Sequence, residues 1–145
     1  MIHTDSLAPI PALAATSPAA PSTVAGPSVD IPYWAQGLLI VASLTGATGG
    51  ALDVYLQVTD DGGTTWWDYA HFAQKTAGSA LTHHMFAVSR SQQVLTITAI
   101  GKDLTPALAV NTVVGGQFGR KMRLLFVAGA GTSAGASQTV RLIAA

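Results

Sequence analysis

Few side chains in this 145-residue sequence could do chemistry: four His, seven Asp, no Glu and no Cys. Without Cys there is no disulfide framework, no thiolate nucleophile and no thiolate zinc site. His83 and His84 are adjacent. Neighbouring side chains in a strand point to opposite faces, so this pair cannot close on one ion. No carboxylate stands at a ligand-like spacing from either, and neither a metal nor another cofactor is expected. Ser, His and Asp are all present, yet no Gly-x-Ser-x-Gly elbow accompanies them. Asp60 and Asp61 fall in a glycine-rich turn, where carboxylates bond to backbone N–H groups. The stretch Gly115-Gly116-Gln117-Phe118-Gly119-Arg120-Lys121 is glycine-rich and ends on Lys. It lacks the spacing of a phosphate loop and the Ser or Thr after Lys, and it lies between expected strands rather than ahead of a helix. A glycine hairpin accounts for it. No enzymatic activity is expected.

What remains is chemistry of contact. Arg120, Lys121, Arg123 and Arg141 bring four of the seven basic residues into the last 26 positions. A solvated face explains them blandly. The sharper expectation is an acidic patch on a partner protein, because Arg grips carboxylates bidentately. Nucleic acid is not expected as a partner, since the net charge is zero and gives no field to attract phosphates. The large aromatics Tyr33, Trp34, Trp67 and Tyr69 are candidate interface anchors. Trp67, Tyr69 and His71 alternate, which puts them on one strand face, while Trp66 points the other way into its own hairpin.

The elements that must position these residues follow from composition. Only 10% of the chain is charged, against about 25% in ordinary soluble domains. With a mean hydropathy of +0.41, there are too few polar side chains to cover a monomer. Such apolar surface is ordinarily buried against partners, and a member of an assembly is expected. No run of ~20 apolar residues is present to span a membrane, and a membrane partner is not expected. Six of the seven prolines lie in residues 1–32, without Lys or Arg in a leader-like pattern. Proline fixes φ and lacks an N–H, so this segment is expected to be an extended arm. Its apolar residues, among them Leu7, Ile10, Leu13, Val24 and Ile31, suit docking on a neighbouring subunit.

From residue 33 to 145 short β-branched and aromatic runs alternate with Gly, Asn, Asp and Ser. That pattern predicts an all-β domain: a two-sheet antiparallel β-sandwich, with the jelly roll among the arrangements its eight or so strands allow. Strands are expected at 38–44, 52–59, 66–72, 81–88, 94–100, 108–114, 121–127 and 139–143, with 108–114 pairing to 121–127 across the glycine hairpin. In the second of these, Leu52, Val54, Leu56 and Val58 alternate with Asp53, Tyr55, Gln57 and Thr59 and define a buried face. An edge strand in so uncharged a chain is poorly guarded, so self-association as a dimer or trimer is expected.

The turn after that strand reads Thr59-Asp60-Asp61-Gly62-Gly63-Thr64-Thr65-Trp66. It resembles the Asp-box hairpin of sialidases and other β proteins, in which Thr59, Asp61, Gly63, Thr65 and Trp66 would have structural roles. A sialidase would also need repeated copies, an arginine triad and a Glu, and this chain has a single copy and no Glu. The longer string from Leu52 to Phe72, LDVYLQVTDDGGTTWWDYAHF, resembles a segment of small structural proteins of tailed bacteriophages. That resemblance implies a capsid cement or decoration protein of the virion, assembled in the host cytoplasm, whose partner is the major capsid protein. A head–tail joining or tail protein would share the fold. A carbohydrate-binding module is the alternative from another class, with Trp34, Trp67 and Tyr69 as a stacking platform.

Overall fold

The structure, a computed structural model, describes residues 10–18, 22–94 and 96–144. Alternation sets its central strands. In β3 (Gly37–Leu44), Leu38, Ile40, Ala42 and Leu44 are buried and the residues between them are half-buried. β4 (Leu52–Thr59) buries Leu52, Val54 and Leu56; β8 (Lys121–Ala128) buries Met122, Leu124 and Phe126; β9 (Ser137–Ala144) buries Val140 and Leu142. These side chains meet in one core between two antiparallel sheets. Each fully buried Leu, Ile or Phe adds about 1.5–3 kcal/mol over an exposed one.

One sheet has the order β1 (Leu13–Thr16), β9, β3, β6 (Thr82–Ser89). The other has the order β2 (Ser22–Asp30), β8, β4, β5 (Trp67–His71), β7 (Thr112–Val113). The chain is therefore a doubled-back ribbon: β1 lies beside β9, β2 beside β8, β3 beside β6 and β4 beside β5. Wrapped so that successive strands of the first half fall on opposite sheets, this ribbon is a jelly roll. The expected all-β sandwich is thus the observed fold, and no helix among the described residues is long and apolar enough to cross a membrane.

Three expectations about its parts need correction. The Pro-rich segment is extended, but its described residues belong to this chain's own sheets, as edge strands β1 and β2. Prolines are tolerated there because an edge strand has a side without ladder bonds, and Pro27 sits where the β2–β8 register shifts between Ala25 and Ser28. Ile10, Leu13 and Ile31 are buried in the shared core rather than presented to a neighbour. Leu7 lies outside the described residues.

Residues 94 and 96–100 form no strand, and Leu95 lies outside the described residues. The backbone bonds beside β5 are made by residues that follow this segment. Asp68 N–H bonds to Gly101 O at 3.2 Å, Asp103 N–H to Trp66 O at 2.7 Å, and Val114 N–H to Tyr69 O at 2.8 Å. The expected strand 108–114 shrinks to Thr112–Val113 and pairs with β5, because β2 and β4 occupy both sides of β8.

Candidate interaction surfaces

The hairpin after β4 is a closed structural unit. Thr59 Oγ1 accepts the Gly63 N–H at 3.0 Å and donates to Asp61 Oδ1 at 2.9 Å. The same carboxylate oxygen receives the N–H groups of Thr64 at 3.1 Å and Thr65 at 2.8 Å. Donors of this kind favour the ionised form, and the Thr65 N–H foremost brings the Asp61 pKa down to about 2. Gly63 stands at φ +109°, a region that a Cβ disfavours. Trp66 is buried, gives its indole N–H to Gly63 O at 3.0 Å, and lies under the Arg123 guanidinium, 4.5 Å from the ring. Thr65 is half-buried at the end of the turn.

Beside it, the outer face of the five-stranded sheet has polar residues that hold down a loop. Asp68 is buried, and its Oδ2 accepts the N–H groups of Gly101 and Ala107 at 2.8 Å and of Leu108 at 3.0 Å. Gln57, fully buried, donates to Asp68 Oδ1 at 3.1 Å and to Asp103 O at 2.8 Å, and accepts from Arg123 Nε at 2.9 Å. His71 joins Leu108 O at 2.8 Å to Asp53 at 3.0 Å and stacks on Tyr55 with 3.8 Å between centroids. The His71 hydrogen bond lowers the Asp53 pKa, while burial raises that of Tyr55 to about 12. Under this clamp Leu108 packs on Tyr55 and Leu125 as a second, small core. Sequence reading missed this network, since its members are single polar residues at scattered positions.

A bulge rearranges the aromatics. β4 and β5 pair Leu56 with Ala70 and Gln57 with Asp68, which leaves Tyr69 as an extra residue. Tyr69 therefore turns into the main core, giving its hydroxyl to Gly116 O at 3.0 Å, while His71 faces outward. The expected single face of Trp67, Tyr69 and His71 does not form, and Tyr69 is no surface anchor. Trp34 packs partly buried against the core. Tyr33 is 74% exposed, with the Arg120 guanidinium 5.9 Å from its ring. Trp67 is half-buried, bonds Asp60 through its indole N–H at 3.3 Å, and forms one wall of an open cleft of about 520 Å³. Phe118, Arg90 and Arg120 line the same cleft.

The basic residues do not make one cluster. Arg120 is exposed, Lys121 is ion-paired to Asp30 at 3.2 Å, and Arg123 is engaged by Trp66 and Gln57. Arg141 is exposed on β9, in the other sheet. Lys121 and Arg123 do share a face, two residues apart on β8.

Several large apolar side chains are exposed. Ile97 is 100% exposed and Met85 70%, and Leu81, Leu104 and Val110 are exposed about by half. Most of these lie on β6 and on the loops between residues 90 and 113.

No family model and no curated protein matches the sequence. Among solved structures, the chain is similar to a chain in the structure of the infectious bursal disease virus Gx strain, with 12% identity and a TM-score of 0.39. It is similar also to one in the structure of the Gt strain, with 17% identity and a TM-score of 0.34. Both alignments cover 95% of this chain, which spans only 31% and 32% of the lengths of those two chains. A likeness at these TM-scores carries no weight for what the chain does.

Proposed function

We propose that this chain is a non-catalytic structural protein of a tailed-phage virion, of the capsid cement or decoration type. The observation that carries the reading is the exposed apolar surface on a jelly roll with almost no charge, with Ile97 wholly exposed. The resemblance of residues 52–72 to small phage structural proteins points the same way. The mechanism is mechanical: the domain lies across a junction of major capsid subunits and buries its apolar loops there. Repetition over a shell makes modest individual affinities sufficient. Self-association belongs to the same reading. A head–tail joining protein would use the same surface in a ring.

The carbohydrate-binding alternative loses its platform, because Tyr69 is in the core and Trp34 packs against it. The polar groups of the Asp61 turn bond to the turn itself, which favours a structural role over catalysis.

The test is co-sedimentation of the purified chain with intact and protein-stripped tailed-phage shells. Saturable binding to stripped shells, with a higher shell melting temperature and loss of binding in Ile97→Asp, is the expected outcome. No binding to any shell sinks the proposal. Because β1 and β2 belong to the fold, an N-terminal truncation used here should stop at residue 9.

A further inference from the structure

The four sheet edges are guarded unequally. β1 has four residues and β7 two, too short to recruit another strand. β2 is long, but Pro27, a register shift and the terminal Asp30 blunt it. β6 is an eight-residue edge, Thr82–Ser89, with no Pro, Lys, Arg, Asp or Glu. Among the described residues, none of the usual devices that discourage edge-to-edge pairing is present on it.

The direction of its backbone groups follows from one bond. Arg90 N–H donates to Gln36 O at 2.8 Å, next to the Gly37–Ser89 pair of the β3–β6 ladder. In an antiparallel ladder hydrogen-bonded and non-bonded pairs alternate. So the N–H and C=O groups of Thr82, His84, Phe86 and Val88 turn toward β3, and those of His83, Met85 and Ala87 turn outward. No backbone partner for these three outward residues is found among the described residues. Their side chains stand exposed on the outer face of the sheet, Met85 at 70%.

We propose that β6 pairs antiparallel with β6 of a second copy of this chain, about a two-fold axis through Met85. Placing Met85 opposite Met85 sets His83 opposite Ala87 of the other copy, and the reverse. This register lets every outward N–H and C=O of His83, Met85 and Ala87 find a partner, on both copies. It joins the two four-stranded sheets into one. The other pairs it creates are His84 with Phe86 and Thr82 with Val88, so no His faces a His and no like charges oppose. On the outer face it brings the two Met85 side chains together beside Val41, which pairs with Met85 inside each copy. The inference deepens the self-association part of the proposed function and rests on that part alone.

Sedimentation equilibrium of the full chain tests it with two variants. Met85→Pro removes an outward N–H together with the exposed Met side chain, at an edge position where proline is tolerated, so the β3–β6 ladder survives. Met85→Cys is unambiguous because the chain has no other Cys. Opposed Cα atoms of a hydrogen-bonded antiparallel pair are about 5.5 Å apart. A short bismaleimide then links two copies of Met85→Cys. It does not link His83→Cys, where the equivalent residues are offset by four positions, about 14 Å at about 3.4 Å per residue. The expected result is a dimer, a monomeric but folded Met85→Pro variant, and cross-linking at 85 and not at 83. A monomer at every concentration overturns the inference; shell binding by that monomer would leave the cement reading standing. A dimer that tolerates Met85→Pro and does not cross-link at 85 overturns the β6 pairing, while self-association through another face stands. If Met85→Pro fails to fold, the cross-linking pattern alone decides.

Discussion

Asp68 and Leu108 meet on the outer face of the five-stranded sheet. The Asp68 carboxylate receives the Leu108 N–H at 3.0 Å, and the Leu108 side chain lies against Tyr55 and Leu125. A buried acid thus fixes the loop that covers its own sheet. Asp68→Ala would strand the N–H groups of Gly101, Ala107 and Leu108 together. A buried unsatisfied donor costs about 1–3 kcal/mol, so a loss of about 3 kcal/mol or more is expected in urea denaturation. Asp68→Asn, which keeps an acceptor oxygen, should cost less. A loss under about 1 kcal/mol for the alanine variant would mean that the loop is not clamped in solution.

The Asp61 turn predicts a specific pH dependence. Its folded-state pKa is about 2, against an ordinary 3.8. The ionised form is thus favoured in the fold, and its stabilising effect is fully present above about 3.8 and lost as pH falls toward 2. The melting temperature of the native chain should exceed that of Asp61→Asn at pH 6, and the gap should close between pH 4 and 2. A gap independent of pH would refute the role assigned to the carboxylate.

β1 predicts that the N-terminal segment cannot be removed without cost. Leu13 is 2% exposed and pairs opposite Val140. Leu13→Ala should destabilise by about 2–4 kcal/mol, as for a buried Leu elsewhere, and deletion of residues 1–32 should abolish cooperative unfolding. A native-like melt after that deletion would show that β1 and β2 do not belong to the body.

Gly119 is required by proximity rather than by its φ. A Cβ there would lie 1.8 Å from Thr59 O. That oxygen belongs to the backbone that opens the Asp61 turn and has no flexible end to yield. Gly119→Ala should lower the melting temperature by more than 10 °C, since one kcal/mol shifts a domain of this size by about 2–8 °C. A change of a few degrees would contradict the close approach.

The strands with clean alternation were legible in the sequence. Leu38 to Leu44, Leu52 to Thr59 and Lys121 to Val127 all carry their inward residues where period two puts them. Alternation failed at Tyr69, because a bulge inserts one residue and no local signal in Trp67-Asp68-Tyr69-Ala70 announces it. It misled at residues 94–100, whose apolar residues alternate like a strand, while the bonds along β5 are made by Gly101, Asp103, Val114 and Thr112–Val113. Whether a pattern becomes a strand depends on an available partner, which is a property of the whole sheet. The proline count suggested an arm because proline excludes a central strand; it says nothing against an edge, and β1 and β2 are edges. Gln57, Asp68 and Asp103 were illegible for another reason. Each is an ordinary polar residue until a bulge and a loop bring it to the other two.

The pairing of β1 with β9 and β2 with β8 has a consequence for the order of events during synthesis. β1 and β2 leave the ribosome long before β9 and β8, their ladder partners, and must wait until those strands have been made. Contacts so distant in sequence close slowly. During that wait the nascent chain holds Leu13 and Ile31 without their cover. A protein with so little charge to keep it apart from its neighbours depends on the arrival of β8 and β9, and premature termination before β8 would release a sticky fragment rather than a smaller domain.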